Sequence, residues 1–122
     1  MKNVVAIRFL ENWFNHVWVQ GSVAHMNDYY AKTVVGEFNR KSFERKDLEE
    51  HCAWSKKNEK VTKYEFRDII SEENKIAFRL YYEFRDQHGK QKDGENTVIF
   101  HLNEEGKIAK VWVKSSEQFG KD

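Results

Sequence analysis

The chain has 122 residues, a length that fits one domain with a substantial core but not two domains. Charged residues make up 34% of it and nearly cancel, leaving a net charge of +1. Because positive and negative side chains are almost equal in number, the chain has no strong net field that would favour nucleic acid or a membrane surface as a partner. Lys56, Lys57, Lys60 and Lys63 form a cluster, but no glycine-rich or aromatic stacking motif accompanies it, so we interpret it as a solvated face.

The cysteine content and the N-terminal residues indicate the cellular compartment in which the protein is expected. Cys52 is the only cysteine, so no internal disulfide can form, as is usual for proteins of a reducing compartment. The N-terminal residues lack the apolar segment and small-residue cleavage site of a signal peptide, and the sequence has no spanning segment or lipidation motif. We therefore expect a cytoplasmic protein with no membrane partner.

The first half of the chain has the periodicity of helices. In its longest periodic stretch, Ile7, Leu10, Phe14 and Val17 recur at the spacing of one helix face. The predicted order in this half is helix, helix, short strand and helix, over residues 4–19, 23–31, 33–38 and 42–57.

The second half has the alternation of antiparallel strands. Residues 75–85 alternate apolar with polar side chains, which is the period of a strand with one apolar face. The charged segments Asp86-Gln87-His88 and Asp93-Gly94-Glu95 are interpreted as a hairpin connection. The remaining strands are predicted over residues 61–70, 97–103 and 107–115. The whole order predicts an α+β fold with the helices on one face of the sheet.

Two stretches resemble the nuclear transport factor 2-like superfamily, most closely its SnoaL-like branch. Residues 18–35 are similar to the family's glycine turn, second helix and tyrosine-alanine entry to the first strand, although Thr33 stands where an aspartate is common. Residues 100–112 are similar to its closing hairpin with a Gly-Lys-Ile turn. The resemblance implies one SnoaL-like domain over residues 1–122. Its cystatin-like fold would be a conical half-barrel, a strongly curved antiparallel sheet wrapped around N-terminal helices.

The resemblance also implies a mostly apolar cavity between the concave face of the sheet and the helices. Strand alternation indicates the same face independently, because the more apolar phase of each strand is expected to point inward. A small apolar or aromatic molecule is the predicted ligand, although core packing also fits these side chains. The predicted contact residues are Phe14, Tyr30, Trp54, Tyr64, Phe66, Phe78, Leu80, Tyr82, Val98, Phe100 and Val111.

The opposite phase of the strands mixes aromatic side chains with arginine, a composition typical of subunit interfaces. Many members of the family pair through this convex face, so the resemblance implies a homodimer. The expected interface residues are Arg79, Tyr81, Ile99, His101 and Trp112.

Known chemistries of the superfamily can be compared with the residues present. Its ketosteroid isomerases need a tyrosine donor, an aspartate base and a second acid to carry a proton and hold an enolate oxygen. By approximate register, those places hold Phe14, Phe38 and Val98, none of which transfers a proton. Steroid-type isomerisation is therefore not expected.

Dehydratases of the superfamily use histidine, aspartate and tyrosine converging in the cavity. The catalytic candidates of that kind are His25, Asp28 and Tyr30. His51 adjoins Cys52, but neighbours on a helix point about 100° apart, so a nucleophilic cysteine–histidine pair is not expected. The sequence contains no metal-ligand spacing or phosphate-binding loop, and no metal or cofactor is expected.

Three hypotheses about function remain open at this point. The first is a small-molecule binding protein with no assignable reaction. The second is a lyase, isomerase or cyclase-type enzyme that uses a pocket histidine with aspartate or tyrosine. The third is a non-catalytic protein-interaction module whose cone is filled by its own side chains.

Overall fold

The computed structural model describes residues 3–116, so both ends of the predicted domain lie outside the described residues. The helical segments are α1 (Asn3–Trp13) with a π-helix (Phe14–Val19), a 3-10 turn (Val23–His25) with α2 (Met26–Tyr29), and α3 (Arg45–Asn58). The strands are β1 (Tyr30–Phe38), β2 (Lys41–Glu44), β3 (Lys60–Glu72), β4 (Lys75–Arg85), β5 (Gln91–Leu102) and β6 (Ile108–Ser115).

The strands form one curved, unclosed sheet in the order β2-β1-β6-β5-β4-β3. Strands β3 to β6 pair antiparallel with their chain neighbours, and β2 pairs antiparallel with β1. Strand β1 pairs with β6 in parallel and so joins the two halves of the sheet. The predicted α+β half-barrel with a cystatin-like fold is confirmed.

The core lies between the helices and the concave face of the sheet. Phe78 of β4 and Phe100 of β5 meet the Trp13 ring edge to face, with centroids 5.9 and 5.0 Å away. Val111 of β6 is buried as well. The apolar phase of the late strands therefore points inward, as the alternation predicts. On α1, Ala6 is buried, while Ile7, predicted to face the core, is 40% exposed.

The π-helix after α1 has no counterpart in the sequence prediction, which continued an α-helix to residue 19. Its wider turn is visible in the bond from the Gln20 N–H to the Asn15 carbonyl, an i+5 pairing of 2.9 Å. Phe14 and Val17 are buried on this segment.

Strand β5 begins well before the predicted residue 97, so the interpretation of Asp93-Gly94-Glu95 as a connection was wrong. Gly94 pairs with Tyr82 across the sheet. A Cβ atom at Gly94 would lie 2.5 Å from the Tyr82 hydroxyl oxygen, so the glycine makes room for that ring. Here a glycine inside a strand reflects close packing rather than a turn.

Strand β2 and the start of α3 also differ from the prediction, which placed a helix over residues 42–57. Asn39 and Arg40 have φ values of 49° and 72° and form the turn between β1 and β2. Helix α3 begins at Arg45 because Glu44 caps it: the Glu44 N–H donates to Asp47 Oδ2 at 2.8 Å, and the Glu44 side chain accepts from the third helical N–H.

The other early boundaries shift by a few residues. The second helix ends at Tyr29 rather than residue 31, and Tyr30 already belongs to β1. Across residues 3–116, no helix combines the length and the apolarity needed to cross a membrane.

Candidate functional site

A partly enclosed cavity of about 150 Å³ lies between the concave face of the sheet and the helices. The helical segments and β2 contribute Trp13, Phe14, Trp18, Phe43, Leu48, His51, Trp54, Ser55 and the following Glu59. The other strands contribute Tyr30, Phe38, Val61, Leu80, Tyr82, Phe84, Asn96, Val98, Phe100, Val111 and Val113. A cavity of this volume accommodates a single aromatic ring.

Most of the predicted contact residues line this cavity: Phe14, Tyr30, Trp54, Leu80, Tyr82, Val98, Phe100 and Val111. Tyr64, Phe66 and Phe78 do not. Phe14 lies 5.0 Å from the Tyr64 ring and 6.1 Å from the Phe66 ring, and Phe66 lies 5.5 Å from Phe78. Because α1 crosses this part of the sheet, these three rings pack into the aromatic core.

Tyr30 is the most deeply placed polar group of the cavity lining. Its hydroxyl oxygen accepts a hydrogen bond from Trp13 Nε1 at 2.9 Å and a longer one from Trp18 Nε1 at 3.4 Å. Burial raises the pKa of Tyr30 to about 12, so the phenol keeps its proton at neutral pH. In the described part of the chain, Tyr30 makes no other side-chain hydrogen bond, which leaves its O–H hydrogen available to a ligand.

His51 lines the cavity from α3, although the sequence did not identify it as a site residue. Its ring stacks on Trp54 at 5.8 Å with an angle of 14° and lies 5.7 Å from the Trp18 ring. Burial lowers the pKa of His51 below its ordinary value of 6.5, so the imidazole is neutral at pH 7. The spacing of Leu48, His51 and Ser55 was the available signal, because these positions share one helix face.

The Cys52 thiol is buried and hydrogen-bonded, an environment that does not favour a nucleophilic thiolate. The thiol donates to the Val17 carbonyl at 3.3 Å, and burial raises its pKa to about 11. The expectation that Cys52 and His51 form no nucleophilic pair agrees with this arrangement.

Two of the three catalytic candidates, His25 and Asp28, do not line the cavity. Their side chains form a pair with 3.0 Å between Nδ1 and Oδ2, and both are substantially exposed. The 3-10 turn places His25 beside the π-helix, where its ring stacks on His16 at 5.0 Å. His16 Nδ1 in turn lies 2.5 Å from the Tyr29 hydroxyl oxygen. Of the three candidates, Tyr30 is the one that reaches the cavity.

The remaining polar groups of the lining pair with each other. Ser55 Oγ donates to Glu59 Oε1 at 3.2 Å, and the Tyr82 hydroxyl donates to Asn96 Oδ1 at 3.5 Å. Glu59 is the acidic residue of the lining, and no lysine or arginine is among its described residues. Among residues 3–116, no group of three or more histidine, cysteine or acidic side chains could hold a metal ion. The cavity is thus an aromatic site with a neutral phenol donor and a neutral imidazole.

The convex face carries the residues expected at an interface. Ile99 is 41% exposed, and the Trp112 ring packs edge-on against His101 at 4.7 Å. Arg79 pairs with Asp68 at 2.7 Å and with Glu95 at 3.4 Å. Tyr81 lies beneath the Arg67 guanidinium at 4.8 Å and donates its hydroxyl to Glu83 at 2.8 Å. Arg79 and Tyr81 therefore already have partners within the chain.

No family model matches the chain, and no curated protein matches it either. Solved structures do. A protein from Acidithiobacillus ferrooxidans assigned as a polyketide cyclase superimposes with a TM-score of 0.75 at 10% identity, covering 96% of this chain and 92% of its own. A protein from Mesorhizobium loti assigned as a SnoaL-like polyketide cyclase gives 0.64 at 15%, covering 88% and 97%.

A de novo designed protein with a curved β-sheet also superimposes, with a TM-score of 0.69 at 20% identity, covering 98% of this chain and 92% of its own. At these identities the likeness shows the fold alone. These structures confirm the fold that the resemblance to the nuclear transport factor 2-like superfamily implied. A designed protein with this shape illustrates that the fold by itself does not imply a reaction.

Proposed function

We propose that this chain binds a small apolar or aromatic molecule in the cavity between α3, the π-helix and the concave sheet. The observation that carries the proposal is the lining itself, an aromatic, partly enclosed space of about 150 Å³. Moving apolar area from water into such a lining is favourable by about 25 cal/mol per Å². Phe14, Phe66, Phe78 and Phe100 pack tightly but leave this space, which favours a ligand over a cone filled by its own side chains.

The test combines ligand capture with a cavity-filling variant. Native mass spectrometry of the purified protein would detect a molecule retained from the expression host, and titration with indole followed by NMR would measure the affinity for an aromatic ring. Val98→Phe adds a ring to the cavity wall and is expected to weaken indole binding at least tenfold. Val35→Phe is the matched control, because Val35 lies outside the cavity and is 44% exposed.

Indole binding that is equally weakened by both variants, or is absent from the wild-type protein, would contradict the proposal. Val98→Phe must also remain folded, which a thermal melt would establish, since overpacking costs about 1–3 kcal/mol.

A second candidate function is acid–base catalysis, and the presence of His51 and Tyr30 on one cavity favours it. A neutral imidazole can take a proton from the carbon beside a ligand carbonyl, while the Tyr30 O–H holds the enolate oxygen that forms. Return of a proton from the imidazolium to the same or a neighbouring carbon would regenerate His51 and complete an exchange or isomerisation. Structural neighbours assigned as polyketide cyclases support keeping this candidate.

Deuterium exchange separates this candidate from simple binding. In deuterium oxide, the benzylic protons of 2-indanone are expected to exchange faster with the protein than in buffer, and His51→Gln is expected to remove the acceleration. His25→Gln is the control, because His25 does not line the cavity. Acceleration that survives His51→Gln, or none at all, would leave binding as the function.

The chain's assembly and compartment form part of the same proposal. A homodimer through the convex face is supported by the exposed Ile99 and by the His101–Trp112 aromatic pair. A cytoplasmic location is supported by the single, buried Cys52 thiol.

A further inference from the structure

The hydrogen bonds of the Tyr30 hydroxyl determine whether a neighbouring ligand atom must be a hydrogen-bond donor or an acceptor. A phenol has one hydrogen to donate and two lone pairs to accept with. Its lone pairs face the indole N–H groups of Trp13 and Trp18, at 2.9 and 3.4 Å, so the oxygen already serves as an acceptor. Accepted bonds of this kind polarise the O–H bond and strengthen its own donation by about 10–30%. A ligand atom beside Tyr30 should therefore be a hydrogen-bond acceptor.

The charges around the cavity determine whether that acceptor is neutral or anionic. The described lining contains the acidic Glu59 and no cationic side chain. Burial disfavours the imidazolium form of His51, and Tyr30 carries no positive charge in either protonation state. The Arg45 guanidinium acts electrostatically on Tyr30, but it lies outside the lining and is paired with Glu49 and the Ala31 carbonyl. A carboxylate or phosphate would lose its hydration without a counter-charge, at a cost that a single phenol donor does not offset.

The shape of the lining selects a flat ligand. Many of the lining side chains are aromatic, among them Trp54 with His51 stacked on it, and the volume of about 150 Å³ suits one ring with a small substituent. Aromatic side chains pack favourably against another ring in offset or edge-on contacts.

We infer that the ligand is a planar ring bearing a neutral carbonyl oxygen, and that the Tyr30 O–H, held by the two indole donors, binds this oxygen. The inference rests on the proposed binding function and deepens it by naming the ligand class. Tyr30 is thereby a ligand-binding and specificity residue, whatever reaction the bound carbonyl undergoes.

Three probe molecules test the inference: acetophenone, ethylbenzene without the oxygen, and benzoate with a negative charge. Their affinities are compared by NMR titration for the wild-type protein, Tyr30→Phe and Tyr82→Phe. Tyr30→Phe is expected to weaken acetophenone about three- to tenfold and to change ethylbenzene less than twofold, because one hydrogen bond is lost. Tyr82→Phe, which removes another hydroxyl of the same lining, is expected to leave this ratio unchanged.

Infrared spectroscopy gives a second readout that does not depend on the variant's stability. The carbonyl stretch of acetophenone bound to the wild-type protein is expected at lower frequency than in an apolar solvent, as for a hydrogen-bonded ketone. An unshifted stretch would overturn the inference even if Tyr30→Phe failed to fold.

The outcomes distinguish the inference from the function on which it rests. If neither acetophenone nor ethylbenzene binds, the proposed function itself fails. If both bind and Tyr30→Phe affects them equally, ring binding stands and the carbonyl assignment is wrong. Benzoate binding as tightly as acetophenone would also overturn the assignment, because it would require a cation that the described lining lacks.

Discussion

Phe78 is the residue at which core packing can be measured most directly. It is 2% exposed and contacts the rings of Trp13, Phe66 and Phe100. Phe78→Ala is expected to lower the free energy of unfolding by about 3–5 kcal/mol, because it removes a buried ring and leaves a void. Urea denaturation measures this loss. Ile70→Ala, at a position 65% exposed on β3, should change the stability by less than about 0.5 kcal/mol.

A loss at Phe78 no larger than the loss at Ile70 would mean that the ring borders open space rather than the core. It would also return Phe78 to the cavity wall, where the sequence placed it.

His51 gives the protein a pH dependence of defined sign. Because burial lowers its pKa in the folded protein below the ordinary 6.5, the unfolded chain binds the proton more readily. Its contribution to stability is complete above about pH 6.5 and is lost as the pH falls below that value. Denaturation at about pH 7.5 and 5.5 should therefore show a stability loss that His51→Gln reduces.

His101 has a lowered pKa as well, through partial burial and the nearby Lys75 and Lys110. The double variant His51→Gln/His101→Gln is expected to lose still less stability on acidification. A single His51→Gln variant as sensitive as the wild-type protein would show that His51 is solvated rather than held neutral.

Histidine placement marks the limit of what the sequence could indicate. His25 precedes Asp28 by three residues, a spacing that resembles a catalytic pair, and the two do meet at 3.0 Å. They meet at the surface because the chain there forms a single 3-10 turn, whose direction the sequence pattern does not encode. His51 reaches the cavity through ordinary α-helical geometry, and its spacing from Leu48 and Ser55 could have identified it.

At the scale of elements, the start of α3 depends on one capping box. The Glu44 side chain accepts a hydrogen bond from the backbone N–H of Asp47, and the Asp47 carboxylate accepts one from the backbone N–H of Glu44. Glu44→Ala is expected to destabilise the protein by about 0.5–2 kcal/mol, because an N–H of the first turn loses its acceptor. Thermal or urea denaturation measures the change.

Glu50→Ala is the matched control, since Glu50 is an exposed glutamate within the same helix. Equal effects of the two variants would mean that charge or helix propensity, rather than the cap, accounts for the loss.

Elements defined by strict alternation could be predicted, whereas those defined by single contacts could not. Strand β4 agrees with its predicted bounds because every second residue over 75–85 is apolar. Strand β5 was predicted too short, since Gly94 is required by the Tyr82 ring on the neighbouring strand. The π-helix could not be predicted either, because the residue spacing from Phe14 to Val19 is also compatible with a continuing α-helix, and only the i+5 bond in the structure distinguishes the two.

At the scale of the whole molecule, the proposed homodimer has a direct test. Wild-type protein at tens of micromolar is expected to give twice the chain mass in light scattering. Ile99→Glu should give the mass of one chain, because a charge would be buried at the centre of the convex face. Val5→Glu, at an exposed position on α1, should leave the dimer intact.

A wild-type protein that is already monomeric would contradict the dimer. A folded Ile99→Glu variant that remains dimeric would show that the subunits pair through another surface. Arg79 is a less suitable probe than Ile99, because its ion pairs with Asp68 and Glu95 would be lost in the same substitution.

The architecture as a whole could be predicted from the order of elements together with the two family-like stretches. The site could be predicted only in part, because Tyr30 was named without the two tryptophans that orient its hydroxyl. Trp13 and Trp18 lie 17 and 12 residues before it, and they converge on one oxygen only after the π-helical turn.

The parallel pairing of β1 with β6 has a consequence for synthesis on the ribosome. Tyr30 lies opposite Ile108, and Phe38 lies opposite Val113. Strand β1 is therefore synthesised well before β6, the strand with which it pairs in parallel. Until those final residues emerge from the exit tunnel, β1 has a vacant edge that another nascent chain could occupy. The antiparallel ribbon from β3 to β6 involves shorter loops and is the natural first unit to collapse. Because residues of both β1 and β6 line the cavity, its wall is complete only once these two strands have paired.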